Sequence, residues 1–166
     1  MAKRTSEATP ALAAAARAGI EHIVHAYEHD PRAASYGLEA AEALGIEPDR
    51  VFKTLMVDLA HADSSELVVA IVPVTCSLDL KAVAAALGGK RATMADPQAA
   101  QRATGYVLGG ISPLGQKNVH RTVIDETVEM WDTVNVSAGR RGLEIELAPQ
   151  DLISSVQAVV ASVARS

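Results

Sequence analysis

The segment Leu67–Val74 constrains the fold more than any other part of the sequence. It is a continuous apolar run, Leu-Val-Val-Ala-Ile-Val-Pro-Val, without the alternation of a strand that has one face in water. We therefore predict a strand that is buried on both faces. With 166 residues, the chain is long enough to cover such a strand within one domain.

Capping signals place helices around this strand. Thr9-Pro10 and Asp96-Pro97 each combine an N-cap residue with a proline in the first turn, and Pro149 opens a C-terminal helix. Further helices are predicted at 38–44 and 78–87, and strands at 23–28, 51–59, 67–74, 106–108, 119–124, 133–136 and 143–147, with a turn at 137–142. This order lacks regular βαβ alternation, so the predicted fold class is mixed α/β, a mixed sheet surrounded by helices. Residues 1–8 are expected to form a flexible tail and residues 9–166 the domain.

Composition and charge exclude some function classes. One Trp, one Phe and three Tyr are too few for the base-stacking platforms of many RNA-binding modules. A net charge of −5 argues against nonspecific coating of nucleic acid. Between 81 and 121, however, six basic residues accompany a single acidic one, Asp96. This local excess fits a focused anionic ligand, or it is a fluctuation of surface charge.

Cysteine content and hydropathy indicate the compartment. Cys76 is the single cysteine, so no disulfide can form within the chain. The N-terminal Met-Ala-Lys-Arg lacks the apolar region of a signal peptide, and no apolar run is long enough to cross a bilayer. We expect a cytoplasmic protein.

The most unusual segment is the glycine-rich run Gly105–Lys117, Gly-Tyr-Val-Leu-Gly-Gly-Ile-Ser-Pro-Leu-Gly-Gln-Lys. Adjacent glycines let a ligand approach the backbone amides closely, and Pro113 stiffens the turn. Such a loop suits an anion or a developing oxyanion. The equally acceptable alternative is a tight turn between two strands.

Lys53 interrupts the otherwise apolar strand Val51–Val57. A lysine in this setting needs water, a partner or a ligand. It is either a fixed cation at a cleft, suited to a phosphate or carbonyl oxygen, or a residue on an exposed strand edge.

Other chemistries lack a signature. Ser112 has no nucleophile elbow around it, so it is interpreted as a hydrogen-bonding loop residue. The five histidines show no zinc-binding spacing, and neither a metal site nor a cofactor is expected. Cys76 has no identifiable base to activate it. The turn Val136–Gly142 combines hydroxyl and backbone donors with two arginines, which suits a phosphate or a solvated hairpin.

Several motifs in order carry a family resemblance. They are Tyr-Glu-His-Asp-Pro (27–31), Tyr-Gly-Leu-Glu-Ala-Ala (36–41), Val-Phe-Lys-Thr-Leu (51–55), Leu-Asp-Leu-Lys-Ala-Val-Ala (78–84), Met-Ala-Asp-Pro (94–97), the glycine loop (104–117) and Val-Ser-Ala-Gly-Arg-Arg-Gly-Leu-Glu-Ile-Glu-Leu-Ala-Pro (136–149), followed by Asp-Leu (151–152). Together they resemble the YbaK-type Cys-tRNA(Pro) deacylases, which are related to the editing domain of bacterial prolyl-tRNA synthetases. The resemblance covers nearly the whole chain from about Thr9.

The resemblance implies a single α/β domain with a mixed, barrel-like sheet and an aminoacyl-tRNA deacylase that hydrolyses Cys-tRNA(Pro). The family's catalytic lysine falls on Lys53. Its oxyanion or substrate-holding loop falls on Gly109, Gly110, Ile111, Ser112 and Pro113, and the residues implied to line the pocket are Tyr27, Thr54, Ser137 and Gly139.

The implied partners are the 3′ end of tRNA(Pro) and a prolyl-tRNA synthetase. An aminoacyl ester is already activated, so positioning and oxyanion stabilisation can supply most of the catalysis. The nucleophile is either water or the substrate's own thiol, which would release a cyclic thiolactone. Two alternatives remain: a deacylase for Ala-tRNA(Pro), and a non-catalytic module that binds tRNA or an aminoacyl ligand.

Overall fold

A computed structural model of the chain describes residues 8–166, in which five α-helices and ten strands are present. The helices are α1 (Pro10–Arg17), α2 (Tyr36–Leu44), α3 (Leu80–Leu87), α4 (Pro97–Thr104) and α5 (Pro149–Val156). The strands are β1 (His22–Ala26), β2 (Phe52–Ala60), β3 (Ser65–Pro73), β4 (Ser77–Leu78), β5 (Arg91–Met94), β6 (Thr122–Asp125), β7 (Val134–Arg140), β8 (Leu143–Leu147), β9 (Val159–Ala161) and β10 (Ala164–Arg165).

Side-chain caps fix the helix starts where the sequence predicts them. The hydroxyl of Thr9 accepts the amide of Leu12 at 3.1 Å, and the carboxylate of Asp96 accepts the amide of Ala99 at 3.0 Å. Each bond satisfies a backbone donor that the first helical turn leaves unpaired. These contacts confirm the predicted N-caps of α1 and α4.

Two larger sheets form the body of the domain. The five-stranded sheet has the order β5-β2-β3-β6-β9. Strand β2 is antiparallel to both β5 and β3, whereas the β3–β6 and β6–β9 pairs are parallel. The three-stranded sheet β1-β8-β7 is antiparallel, and β4 pairs with β10 in a short ribbon. The domain is therefore mixed α/β, as predicted.

Strand β3 is covered on both faces, which confirms the prediction from its apolar run. Val69 and Ile71 belong to the core between the two larger sheets, which also contains Phe52, Val136 and Ile145. On the opposite face, side chains of β2 and β3 pack against Val83, Ala84 and Leu87 of α3.

The sheets do not close into a barrel. The two larger sheets are joined by an isolated bridge between Val51 and Asn135, and they otherwise face each other across the core. The resemblance implies a barrel-like sheet, and the structure instead has two facing sheets, because β1, β8 and β7 form a sheet of their own.

Three local predictions are wrong. Residues 106–108 form loop and turn rather than a strand, since the Tyr106 amide donates to the hydroxyl of Thr104 at the end of α4 and not to a neighbouring strand. The strand predicted at 119–124 begins only at Thr122. The turn predicted at 137–142 is shorter, because β7 continues through a bulge to Arg140. The predicted tail at 1–8 lies outside the described residues except for Ala8, and no described helix is long and apolar enough to span a membrane.

Candidate active site

A cleft of about 520 Å³ opens beside the first half of β2. Strand β3 pairs with β2 along its whole length, but on the other edge β5 pairs only with Val57–Ala60. The preceding residues therefore border the cleft. Five parts of the chain line it. They are the start of α2 (Ala34, Ser35, Tyr36, Gly37), β2 with the residue before it (Val51, Phe52, Lys53, Thr54, Leu55, Met56), the β5–α4 region (Met94, Ala95, Pro97, Ala100), the glycine loop (Leu108, Gly109, Ile111) and the second sheet (Ser137, Glu144).

Lys53 supplies a cation to this cleft. Its side chain is half-buried, and among residues 8–166 it has neither a hydrogen bond nor an ion pair. A lysine head group without an internal partner remains available to an anionic ligand. The interpretation of Lys53 as a fixed cation at a cleft is thus consistent with its position.

The glycine loop contributes a tight turn to the rim. The amide of Gly110 donates to the carbonyl of Val107 at 2.9 Å, and Gly109 has φ +83°. This is the dihedral that a type II turn requires at its third residue, where glycine is favoured. The Gly110 amide is consequently engaged, whereas the Gly109 amide has no partner among the described residues. Gly109 itself is one of the residues that line the cleft.

Close packing against the neighbouring hairpin explains why Gly110 follows Gly109 in this loop. A Cβ built at Gly110 would lie 2.7 Å from Cα of Arg140, a backbone atom that cannot move aside easily. At Gly109 it would lie 2.8 Å from Nε of Arg141 and from the Tyr36 ring. The loop is therefore seated directly on the β7–β8 hairpin, and its glycines allow that approach.

Ser137 and Glu144 form one row of the second sheet. They are directly opposite in the β7–β8 pairing, on the face that points away from the core residues Val136 and Ile145. The Ser137 hydroxyl accepts the amide of Gly139 at 3.1 Å. Glu144 is only 8% exposed, and its Oε1 is buried without a hydrogen-bond partner. Burial raises the pKa of Glu144 to about 8, because the charged form loses its hydration.

Tyr27 lies close to this row without bordering the cleft itself. Its amide donates to the carbonyl of Gly142 at 2.9 Å. Burial raises the pKa of Tyr27 to about 12, and the negative charges of Glu144 and Glu39 act in the same direction. Thr54 borders the cleft from β2, and its buried hydroxyl oxygen also lacks a partner.

The structure thus brings five of the ten sequence-predicted site residues into the cleft lining, namely Lys53, Thr54, Gly109, Ile111 and Ser137. The other five are not among the lining residues. Ser112 is fully buried, and its hydroxyl accepts the amide of Leu114 at 3.2 Å. Pro113 borders a separate groove, and Gly139 packs beside Thr9 and the Tyr106 ring. The roles predicted for all ten residues remain predictions.

Sequence reasoning missed Glu144. The alternation Leu143–Leu147 predicts a half-buried strand with its glutamates toward water, and Glu146 follows that pattern more closely than Glu144. No histidine or cysteine is among the residues that line the cleft, and residues 8–166 contain no cluster of three or more acidic, His or Cys side chains that could hold a metal ion.

Comparisons with known proteins agree with this architecture. The model of the aminoacyl-tRNA editing domain family matches residues 30–154. A protein of Enterococcus faecalis, provisionally named Cys-tRNA(Pro)/Cys-tRNA(Cys) deacylase EbsC, is 41% identical over 114 residues, which are 69% of this chain and 68% of that protein.

Solved structures share the fold. The hypothetical protein APE2540 aligns with a TM-score of 0.82 at 22% identity, over 95% of this chain and 100% of that one. A provisionally assigned trans-editing enzyme for prolyl-tRNA synthetase aligns with a TM-score of 0.77 at 20% identity, over 100% and 99% of the two chains. The chain belongs to the aminoacyl-tRNA editing domain family, which confirms the resemblance and the expectation of an aminoacyl-tRNA editing enzyme.

Proposed function

We propose that this protein is a trans-editing deacylase that removes cysteine from mischarged tRNA(Pro). The observation that carries the proposal is that Lys53 and Gly109 line the same cleft, while the Lys53 side chain and the Gly109 amide have no hydrogen-bond partner among residues 8–166. An aminoacyl ester on a 3′-terminal adenosine offers an anionic phosphate to the Lys53 ammonium and a carbonyl oxygen to the Gly109 amide. The name of the Enterococcus relative supports the choice of cysteine.

In this mechanism the Gly109 amide donates to the ester carbonyl oxygen as it becomes an oxyanion. One such donor contributes roughly 3 kcal/mol of transition-state stabilisation. Lys53 holds the phosphate of the terminal nucleotide and so fixes the ester against the loop. Thr54, Ile111 and Ser137 contact the aminoacyl group directly. Gly110, Ser112, Pro113 and Gly139 support the loop, and Tyr27 supports the row of Ser137 and Glu144.

The nucleophile comes from the substrate or from water. Among residues 8–166, no histidine lines the cleft to activate the Ser137 hydroxyl, and Cys76 is not a lining residue either. When the cysteine thiol attacks its own carbonyl carbon, a C–S bond forms and the ester C–O bond breaks. The thiol proton passes to the departing ribose oxygen, and the products are a four-membered thiolactone and uncharged tRNA.

The net charge of the chain bears on how the tRNA substrate reaches the cleft. The acidic chain would bind tRNA weakly and with strong dependence on salt, so delivery by a prolyl-tRNA synthetase would raise its efficiency. We place the protein in the cytoplasm, where both would be met.

The test measures release of labelled amino acid from Cys-tRNA(Pro), Cys-tRNA(Cys) and Ala-tRNA(Pro), each with and without prolyl-tRNA synthetase. Selective loss of cysteine from tRNA(Pro) is the expected result. Preferential loss of alanine would replace the substrate assignment. Stable esters throughout would reject deacylation and favour a non-catalytic binding module.

A further inference from the structure

Two polar atoms at the cleft have no partner within the described chain. They are Oε1 of Glu144 and the hydroxyl oxygen of Thr54, and both are shielded from solvent. Such groups normally have a hydrogen-bond partner, because an unpaired buried polar atom destabilises the fold. Both residues border the space where a ligand would bind, so a ligand can supply the missing partner.

The chemistry of Glu144 indicates a positively charged partner. No ion pair involves this carboxyl group in residues 8–166, although Glu146, two residues along the same strand face, pairs with His25 at 2.8 Å and Arg50 at 3.5 Å. We propose that Glu144 binds the α-ammonium group of the aminoacyl ester. This assignment rests on the proposed function and adds to it the basis for recognising an amino acid.

The position of Glu144 in the sheet fits this role. Ser137, directly opposite it, borders the same cleft as Gly109. In an aminoacyl ester the α-carbon is bonded both to the nitrogen and to the carbonyl carbon. Holding the ammonium at Glu144 therefore limits where the carbonyl can lie and directs it toward a donor elsewhere in the cleft.

Protonation gives the binding a characteristic signature. Burial raises the pKa of Glu144 to about 8, so the empty site holds a proton at neutral pH. The titratable side chains that face it are Lys53, which lines the same cleft, Tyr27, and His25, which is its partner in the β1–β8 register. An arriving ammonium favours the carboxylate and releases that proton. Affinity for an ammonium ligand should then increase as pH rises toward 8, by up to about tenfold per pH unit while the ligand's amine stays protonated.

The experiment uses two stable adenosine amides and isothermal titration calorimetry. One is 3′-cysteinylamino-3′-deoxyadenosine, and the other, with a 3-mercaptopropanoyl group, lacks only the α-amine. The wild-type protein should bind the amine at least about tenfold more tightly, since a charge-assisted hydrogen bond is stronger than a neutral one. Glu144→Gln should abolish this preference. Glu146→Gln, the matched control outside the cleft, should retain it.

Three outcomes overturn the inference: equal affinity of the wild type for both analogues, no binding of either, or an undiminished preference in Glu144→Gln. Deacylation of Cys-tRNA(Pro) by the same wild-type preparation separates the two proposals. If that activity is present while the amine preference is absent, the role of Glu144 is rejected and the proposed function stands. If both are absent, the proposed function fails as well.

Discussion

Arg141 donates from its Nε to the carbonyl oxygen of Leu108 at 2.9 Å, and its guanidinium lies 4.7 Å from the centre of the Tyr36 ring. One side chain thus ties the glycine loop, the β7–β8 hairpin and the start of α2 together at the rim of the cleft. Leu108 and Tyr36 both line that cleft. The turn that carries Gly109 is therefore held from outside rather than by its own side chains.

Replacing this tie should lower activity more than stability. Arg141→Ala is expected to reduce kcat for deacylation about tenfold, because small displacements of a catalytic donor are costly. The free energy of unfolding should fall by only about 1 kcal/mol, the usual contribution of one hydrogen bond and an exposed cation–π contact. Steady-state kinetics and urea unfolding check both values.

Arg32→Ala is the matched control for Arg141. The side chain of Arg32 is exposed, and within the described part of the chain it bonds only to Asp30 of its own loop, at 3.2 Å. Arg141→Lys retains a cation for the Tyr36 ring and should recover part of the lost activity. Unchanged kcat in a folded Arg141→Ala protein would show that the loop needs no such support.

Lys53→Ala should remove activity while the fold survives. We expect kcat/KM to fall by at least about a hundredfold, as when a positioned electrostatic contact is lost from an active site. The side chain has no internal partner among residues 8–166, so the circular dichroism spectrum and unfolding midpoint should change little. Lys81→Ala, on the exposed surface of α3, serves as control. Full activity in folded Lys53→Ala would contradict the assignment.

Gly110→Ala tests the contact between the loop and the hairpin. The added Cβ would meet the Arg140 backbone at 2.7 Å, so we expect a loss of about 1–3 kcal/mol in unfolding free energy together with reduced activity. Gly19→Ala provides the comparison. It has φ +69° and open space around it, so it should cost about 1–2 kcal/mol through backbone strain alone and leave activity intact. Equal activity of both variants would argue against a role for this packing.

Stability should depend on pH through Glu144. Its pKa is raised from an ordinary 4.5 to about 8 in the folded protein, so the folded state binds more protons than the unfolded state between these values. The protein therefore loses stability as pH rises across this range, on the order of a few kcal/mol in total. Unfolding in urea at several pH values between 5 and 8 should show this decline in the wild type.

Glu144→Gln should remove that part of the pH dependence and be more stable than the wild type at pH 8. Glu146→Gln should instead be less stable than the wild type at neutral pH. Hydrogen bonds from Thr133 and His25 lower the pKa of Glu146, so its carboxylate stabilises the fold above pH 4.5 and that contribution is lost on acidification. A decline from pH 5 to 8 that persists in Glu144→Gln would mean that another group causes it.

Local signals in the sequence predict most of the helices and the central strands. The N-cap residues Thr9 and Asp96 bond to amides three residues ahead, so the sequence alone marks these helix starts. The apolar run Leu67–Val74 likewise marks a strand that is buried on both faces. Strands β4, β5, β9 and β10 were missed because they are short and pair with segments distant in the chain. Their formation depends on tertiary packing, which periodicity does not report.

The site shows the same division. Lys53 stands out in the sequence because a lysine within an apolar strand conflicts with its surroundings. Glu144 does not, since a glutamate that alternates with apolar residues is the ordinary pattern of a strand with one wet face. It is buried because other elements cover that face of the second sheet, which is a property of the assembled fold. The hydrogen bond of the Gly110 amide to Val107 could not be predicted from the sequence either, since it depends on the conformation of the turn.

The walls of the cleft come from both halves of the chain, from α2 and β2 to the glycine loop and β8. A ligand that contacts all these segments disfavours every local opening that separates them, because such an opening would release the ligand. Occupancy of the cleft should therefore slow proteolysis at sites whose cleavage needs that kind of opening, including sites outside the cleft.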